Sequence, residues 1–293
     1  MDAVRTEALT KTYKDVVAVD RLSLSIRQGE LFSLLGLNGA GKTTTIKMLS
    51  CLTAPTRGDA FLHGKSIRTD TAAVKKLIAV SPQETAVAPG LSVRENLELI
   101  CGVYGFSREK QDAKIAELTA LLGLDSVLLK KAGKLSGGWQ RRLSIAMALI
   151  SEPQILFLDE PTLGLDVLAR SELWEIIRSL KGKATIILTT HYMEEAEALS
   201  DRIGIMKDGR LLICDTVDAL KKTAGAESIE QAFVTIVTGG VKWGLCRLPK
   251  ELPERFCVTR GRWCLVSASR LYWFSCLRQS RQISRSVFLR YRI

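Results

Sequence analysis

The chain has 293 residues, 46% hydrophobic and 25% charged, the ordinary make-up of a globular protein with room for one large domain or two small ones. No run of 18 apolar residues occurs, since the longest candidate, 143–158, is broken by Glu152 and Pro153; Met1-Asp2-Ala3-Val4-Arg5 also lacks the apolar core of a secretion signal. The sequence therefore predicts a cytoplasmic chain whose membrane role, if any, runs through a partner, and the net charge of +11 does not make the main body basic, because residues 241–293 hold two Lys and ten Arg against two Glu.

Residues 1–66 alternate short β-like runs with turns, among them Ala60-Phe61-Leu62-His63 between Gly58-Asp59 and Gly64-Lys65, a pattern that predicts an antiparallel patch. His63 has no motif around it and reads as structural. Within this stretch the apolar run Leu31-Phe32-Ser33-Leu34-Leu35 leads into Gly36-Leu37-Asn38-Gly39-Ala40-Gly41-Lys42-Thr43-Thr44, and a helix is expected over 44–50. The segment fits G-x-x-x-x-G-K-[ST] without a gap and in the strand, loop, helix context that the motif needs. Glycines let backbone N–H groups turn around phosphate oxygens, and the positive end of the following helix faces the same anion. Lys42 is expected to reach the β and γ phosphates, and the Thr43 hydroxyl to be a ligand to Mg²⁺. A Gly-rich turn with an incidental lysine is the plain alternative. The chain is expected to bind ATP or GTP.

From 93 to 131 the pattern is helical: Leu97, Ile100 and Tyr104 share one face, and Ile115, Leu118, Leu121 and Leu122 share another. Leu135-Ser136-Gly137-Gly138-Trp139-Gln140-Arg141-Arg142-Leu143 then opens a helix running to Ile150. Ser136 suits an N-cap, and Gly137 and Gly138 let a phosphate approach bare N–H groups. Ser-Gly clusters are commonly just loops, so this second phosphate grip takes its weight from its position.

Beyond it come a strand (155–158), a helix (169–180), a strand (184–190) and a helix (193–199), the alternation of a parallel sheet with crossover helices. Ile155-Leu156-Phe157-Leu158-Asp159-Glu160 is a buried strand ending in two carboxylates, which sets Asp159 at the carboxyl edge where ligands bind in open α/β sheets. Asp159 there can hold Mg²⁺ through water, and Glu160 is placed to accept a proton from an attacking water; a solvated strand cap is the plain reading. Residues 202–215 read as a hairpin turning at Lys207-Asp208-Gly209-Arg210.

With these motifs in order, the chain resembles the nucleotide-binding subunits of ABC transporters over residues 4–237. Gly36 to Thr43 corresponds to Walker A, Gln83 in Val80-Ser81-Pro82-Gln83 to the Q-loop, Leu135 to Gly138 to the signature, and Asp159-Glu160 to Walker B with its catalytic glutamate. Leu163-Gly164-Leu165-Asp166 corresponds to the D-loop, and His191 in Thr189-Thr190-His191-Tyr192 to the H-loop. Tyr13 sits where the family places an aromatic against adenine. The wording of His191-Tyr192-Met193-Glu194-Glu195-Ala196-Glu197 and of Ile229-Glu230-Gln231-Ala232-Phe233 is most similar to ATP-binding subunits of ABC-2-type exporters, including drug-resistance systems.

The resemblance implies an α/β P-loop NTPase of ABC type, with a mostly parallel core sheet, an antiparallel β patch and an α-helical insert at about 84–140. It implies ATP and Mg²⁺ as cofactors. Asn38, Gly39, Ala40, Gly41, Thr44 and Asp166 join the nucleotide contacts, Gln83 and Thr43 join Asp159 at the metal, and Lys42, Glu160 and His191 form the catalytic set, with His191 sensing the γ-phosphate. It further implies a nucleotide-dependent head-to-tail dimer, a separate membrane-spanning permease received near 83–96, where Arg94 and Glu95 are the charged positions, and a place at the cytoplasmic face of the membrane. Leu37 and Trp139 depart from the family's usual Pro and Gln; Trp139 bears on rate. An ABC-type ATPase acting on nucleic acid or ribosomes is the alternative, although no specific nucleic-acid partner is expected. A non-catalytic nucleotide-binding subunit is a third reading, against which the intact Glu160 stands.

Residues 241–293 break with this pattern. They carry four of the seven cysteines and three of the five tryptophans, with no C-x-x-C spacing and no helix or strand period. The segment is expected to be a poorly ordered basic tail, read either as an arm for anionic lipid or nucleic acid or as an altered reading frame joined to a cassette spanning 1–240.

Overall fold

The structure, a computed structural model, describes residues 1–239 and the backbone of two short strands beyond them. The chain divides into two units, Met1–Lys242 and Trp243–Ile293.

In the first unit β1 (Asp2–Tyr13) and β2 (Val16–Arg27) form a long hairpin, followed by β3 (Leu31–Gly36) and α1 (Lys42–Leu49). The chain returns through β4 (Arg57–Leu62) and β5 (Lys65–Ser66) to a one-turn helix, α2 (Thr71–Lys75), and β6 (Ile78–Ser81). The helical insert holds α3 (Val93–Val103) and α4 (Arg108–Leu122). α3 starts at a capping box, in which the Ser92 hydroxyl accepts from Glu95 N–H and the Glu95 carboxylate accepts from Ser92 N–H. α5 (Gly137–Leu149) leads to β7 (Ile155–Asp159), α6 (Val167–Leu180), β8 (Thr185–Thr190) and α7 (Met193–Leu199). β9 (Arg202–Lys207) and β10 (Arg210–Asp215) make the expected hairpin, with Asp208 (φ 47°) and Gly209 (φ 77°) both left-handed in its turn. α8 (Val217–Ala224) and α9 (Ile229–Thr238) follow.

Two sheets result. The antiparallel patch has the order β2-β1-β4-β5, and the core sheet the order β10-β9-β3-β8-β7-β6, parallel except for β10. Period-two alternation decides what each core strand faces. On β7, Leu156 and Leu158 pack with the insert and α6, whereas Ile155 and Phe157 pack with α1 and the antiparallel patch. A third cluster joins Leu35, Ile203 and Ile205 to α7, α8 and α9. The α/β architecture expected from the sequence is therefore the one observed.

Differences lie at element ends and in short elements. α1 starts at Lys42, two residues before the predicted helix, so the phosphate-loop lysine is itself in the first turn. The sequence reading has no helix at α2, α8 or α9; α2 and α8 are too short to show a clear period, and in α9 only the wording of Ile229 to Phe233 is used. In the second unit β11 (Phe256–Thr259) pairs antiparallel with β12 (Arg262–Leu265), where no strand was expected. Both runs, Phe256-Cys257-Val258-Thr259 and Arg262-Trp263-Cys264-Leu265, hold β-branched or aromatic residues. The expected poor order of 241–293 otherwise lies outside the described residues.

Candidate functional site

The parallel register lines up the carboxyl ends of four neighbouring strands. Leu35 on β3 pairs with Thr190 on β8, Thr189 with Asp159 on β7, and Leu158 with Ser81 on β6. The residues that follow these ends are the loop after Gly36, His191, Glu160 and Gln83. One sheet edge thus gathers four motifs separated by up to 155 positions in the chain.

The loop between β3 and α1 depends on its glycines. Gly41 has φ 101°, and a Cβ there would stand 2.5 Å from the Ala18 carbonyl oxygen; a Cβ at Gly36 would stand 2.6 Å from that of Met206. The backbone therefore curls tightly and presents N–H groups at the amino end of α1, a cradle shaped for an anion. Lys42 is buried; its Nζ donates to the carbonyls of Gly36 at 2.8 Å and Leu37 at 3.3 Å, and stands 3.5 Å from Glu160 Oε1.

Thr43 Oγ1 donates to Asp159 Oδ1 at 3.2 Å, and Thr189 Oγ1 bonds to the same oxygen. These are hard oxygen donors, suited to Mg²⁺. No cluster of three His, Cys, Asp or Glu side chains that could cage a metal occurs among the described residues. The donor set fits an ion bound by the Thr43 hydroxyl and reached by the Asp159 carboxylate through water, with the rest of its shell left to water and phosphate.

Glu160 is a non-glycine residue with φ 47°, a conformation that costs on the order of 1–3 kcal/mol. Its N–H is held by the carbonyl and the hydroxyl of Thr189, both at 3.1 Å. Its side chain meets Lys42 through Oε1 and His191 through Oε2, with His191 Nδ1 3.2 Å away but out of line for a hydrogen bond. A buried carboxylate between a fixed cation and an imidazole is equipped to take a proton from a water bound in front of it.

A cavity of about 550 Å³ opens over this edge. It is lined by Asn38, Gly39, Ala40, Gly41, Lys42, Thr43 and Thr44 from the loop and α1, together with Glu160, Leu163, His191, Gln83, Tyr13 and Ala18. Tyr13 is 44% exposed and has Lys11 Nζ 5.0 Å from its ring centroid, so it is a surface aromatic beside the cavity rather than core packing.

Ser136, Gly137, Gly138 and Asp166 do not line this cavity. Ser136 is exposed at the start of α5, and its hydroxyl makes no capping hydrogen bond, unlike Asp166, which caps α6 by accepting from Ala169 N–H. The two helix starts lie together: a Cβ on Gly138 would stand 3.1 Å from the Ala169 Cβ, and one on Gly137 3.6 Å from Leu165 Cδ2. Trp139 packs against the helical core with the Arg142 guanidinium 4.9 Å from its ring centroid, and Arg142 pairs with Glu172 of α6.

Sequence reasoning passed over three buried groups. Thr189 ties Asp159 to Glu160. Glu195 is fully buried on α7 and accepts from Trp174 Nε1; burial raises its carboxyl above the usual range. Arg141 of α5 donates to the carbonyls of Pro82 and Gln83, and burial lowers its guanidinium against the pull of Asp159 and Glu195. None is given a role of its own in the sequence, where Arg141 is one position of the helix expected to run to Ile150.

The fold and this edge define an ATP-binding cassette, and the ABC transporter family model matches residues 19–163. The chain is 41% identical over 227 residues to the doxorubicin resistance ATP-binding protein DrrA of Mycobacterium tuberculosis, covering 76% of this chain and 68% of that protein. It is 37% identical over 240 residues to the probable multidrug ABC transporter ATP-binding protein YbhF of Escherichia coli, covering 80% of this chain but only 41% of that protein's length. Among solved structures, a dimeric ATP-binding cassette in a post-hydrolysis state bound to ADP and Pi superposes with a TM-score of 0.66 at 28% identity, over 73% of this chain and 98% of that one. The chain belongs to the ABC transporter family, among its ATP-binding proteins.

Proposed function

We propose that this chain binds and hydrolyses ATP with Mg²⁺ and that it powers export through a separate membrane-spanning permease. The observation that carries the reading is the convergence of the glycine cradle, Lys42, Glu160 and His191 on one cavity of nucleotide size. The loop N–H groups and Lys42 hold the phosphates, and Tyr13 offers its face to the base. Thr43, Gln83 and, through water, Asp159 would hold Mg²⁺, which would supply positive charge against the phosphate oxygens. Glu160 accepts the proton of the attacking water, and His191 fixes the orientation of both at the γ-phosphate.

Ser136, Gly137 and Gly138 expose a helix amino terminus away from their own cradle. This supports a head-to-tail dimer in which each copy offers that terminus, beside its Asp166, to the nucleotide held by the other. We place the ATP chemistry within 1–240, because every phosphate-handling motif precedes Leu199; 241–293 remains a separate basic segment.

Among the described residues no helix is long and apolar enough to cross a membrane. An apolar cleft of about 380 Å³ lies beside the Gln83 loop, between β6 and the insert, and includes Val80, Pro82, Ile100, Val103 and Tyr104. This cleft suits a short helix from a permease, which would hold the chain at the cytoplasmic face of the membrane. Arg94 and Glu95 are poor probes of that contact: Arg94 pairs with Glu98 at 2.7 Å and Asp112 at 2.6 Å, and Glu95 completes the cap of α3. Tyr104→Asp is the better variant, placing a charge in the cleft. Pull-down from detergent-solubilised membranes should recover a hydrophobic permease with the wild type and lose it with Tyr104→Asp. Recovery of ribosomal or nucleic-acid partners alone would overturn the export reading.

A further inference from the structure

Arg141 lies on α5 five residues beyond Ser136 and is 4% exposed. Nη1 donates to the Pro82 carbonyl at 2.5 Å, Nη2 donates to the Gln83 carbonyl at 2.6 Å, and Nη2 also stands 3.4 Å from the Glu160 carbonyl. Three segments that are distant in sequence therefore meet on one buried cation: the loop after β6, the residue after β7, and the helix that begins at Ser136. Removing a cation so placed leaves three carbonyls in a water-poor site, and its planar fork reaches acceptors in different directions that a single ammonium cannot serve together.

The Glu160 end matters most. Glu160 sits in a left-handed conformation that its own sequence does not favour, and such a residue persists only where its surroundings over-determine it. Thr189 fixes its N–H from one side, and Arg141 approaches its carbonyl from the other. The same face of α5 makes a second tie to the end of β6, where the Ser144 and Ser81 hydroxyls are 3.0 Å apart.

We infer that Arg141 is a positioning residue for hydrolysis, clamping the Glu160 peptide to the Gln83 loop so that the Glu160 carboxylate and Gln83 keep a fixed relation at the phosphate end of the cavity. It does not line the cavity, and acts through Glu160. The inference rests on Glu160 being the proton acceptor.

The test uses the full-length chain as wild type, Arg141→Lys, Arg141→Gln, Glu160→Gln and the double variant Arg141→Lys/Glu160→Gln. Titration with a fluorescent ATP analogue gives binding stoichiometry and Kd, and steady-state hydrolysis gives kcat and KM. Arg141→Lys and Arg141→Gln should keep wild-type stoichiometry and a Kd within about threefold, while kcat falls about 10²-fold, the scale of a misplacement near 1 Å. In the Glu160→Gln background, Arg141→Lys should change the remaining rate by less than about threefold, because a clamp on an absent base has nothing to position. An unchanged kcat overturns the inference. So does a binding stoichiometry that falls in step with kcat, the mark of a residue needed only for folding, and so does a full loss repeated in the Glu160→Gln background. Wild-type turnover in Glu160→Gln alone would remove the reading of Glu160 and this inference with it, whereas a slow Glu160→Gln beside a fast Arg141→Lys would remove only the inference.

Discussion

Lys42 Nζ stands 3.5 Å from Glu160 Oε1, with both side chains at most a tenth exposed. The lysine proposed to hold phosphate and the carboxylate proposed to take the proton are thus electrostatic partners, and each limits how the other can be changed. Breaking a buried pair from one side leaves an uncompensated charge, which costs more than the pair itself contributes.

Lys42→Ala removes the only lysine inside the phosphate loop and leaves Glu160 without its cation. A hydrogen bond to a charged group is worth about 1.5–3 kcal/mol, so affinity for Mg-ATP should fall about 10- to 100-fold. Undiminished binding of a fluorescent ATP analogue would contradict the assignment of this loop.

Ser136→Arg should separate binding from dimerisation. Ser136 is exposed and does not line its own cavity, so each chain should still titrate with ATP. A bulky cation at the start of α5 should block the ATP-driven dimer and lower hydrolysis at least about 10-fold, since one phosphate grip is lost to the partner. Dimers of normal stability by light scattering with ATP would argue that the signature does not face the second copy.

The insert is tied to the core by a charge pair with a defined pH response. Lys114 Nζ lies 2.9 Å from both Glu117 and Glu152. The Lys114 hydrogen bond and charge hold the Glu152 carboxyl below its ordinary value of 4.5, so its contribution is present above that value and is lost as pH falls through the lower folded one. For Lys114, burial opposes the charge but the two carboxylates outweigh it and raise the amine above 10.5, so its contribution is present below that value and is lost as pH rises through the higher folded one. Glu152 is largely exposed, and screening limits the pair to about 0.2–1 kcal/mol. Glu152→Gln should therefore melt earlier than wild type near pH 7, and the difference should shrink as pH falls from 4.5 through the lowered folded value, where wild-type Glu152 becomes protonated too. A difference that persists unchanged in acid would exclude the pair as its source.

Much of the site was legible because its parts are local. A buried apolar run ends at Gly36, another at Asp159 and a third at Thr190, and in a parallel sheet such ends share one edge whatever the distances between them in the chain. The loop and the two carboxylates could therefore be placed before any coordinates. What stayed hidden depends on tertiary burial. Arg141 has no partner visible in the sequence, since the Pro82 and Gln83 carbonyls it bonds lie 59 and 58 positions away and reach it only in the fold. Arg94 and Glu95 look like free surface charges until α4 supplies Asp112 and the Ser92 cap is seen. The start of α1 at Lys42 was missed because glycines that discourage a helix in a propensity reading here shape the turn leading into it. The hairpin β11–β12 was missed because Arg-rich composition masked two short β-prone runs.

The central claim is that Glu160 drives hydrolysis of ATP held by the Lys42 loop, and Glu160→Gln tests it most directly, since the amide keeps the shape and removes the proton acceptor. Single-turnover hydrolysis of bound Mg-ATP should slow about 10²- to 10⁴-fold while binding is retained and closed dimers accumulate. Wild-type turnover in that variant would contradict the account.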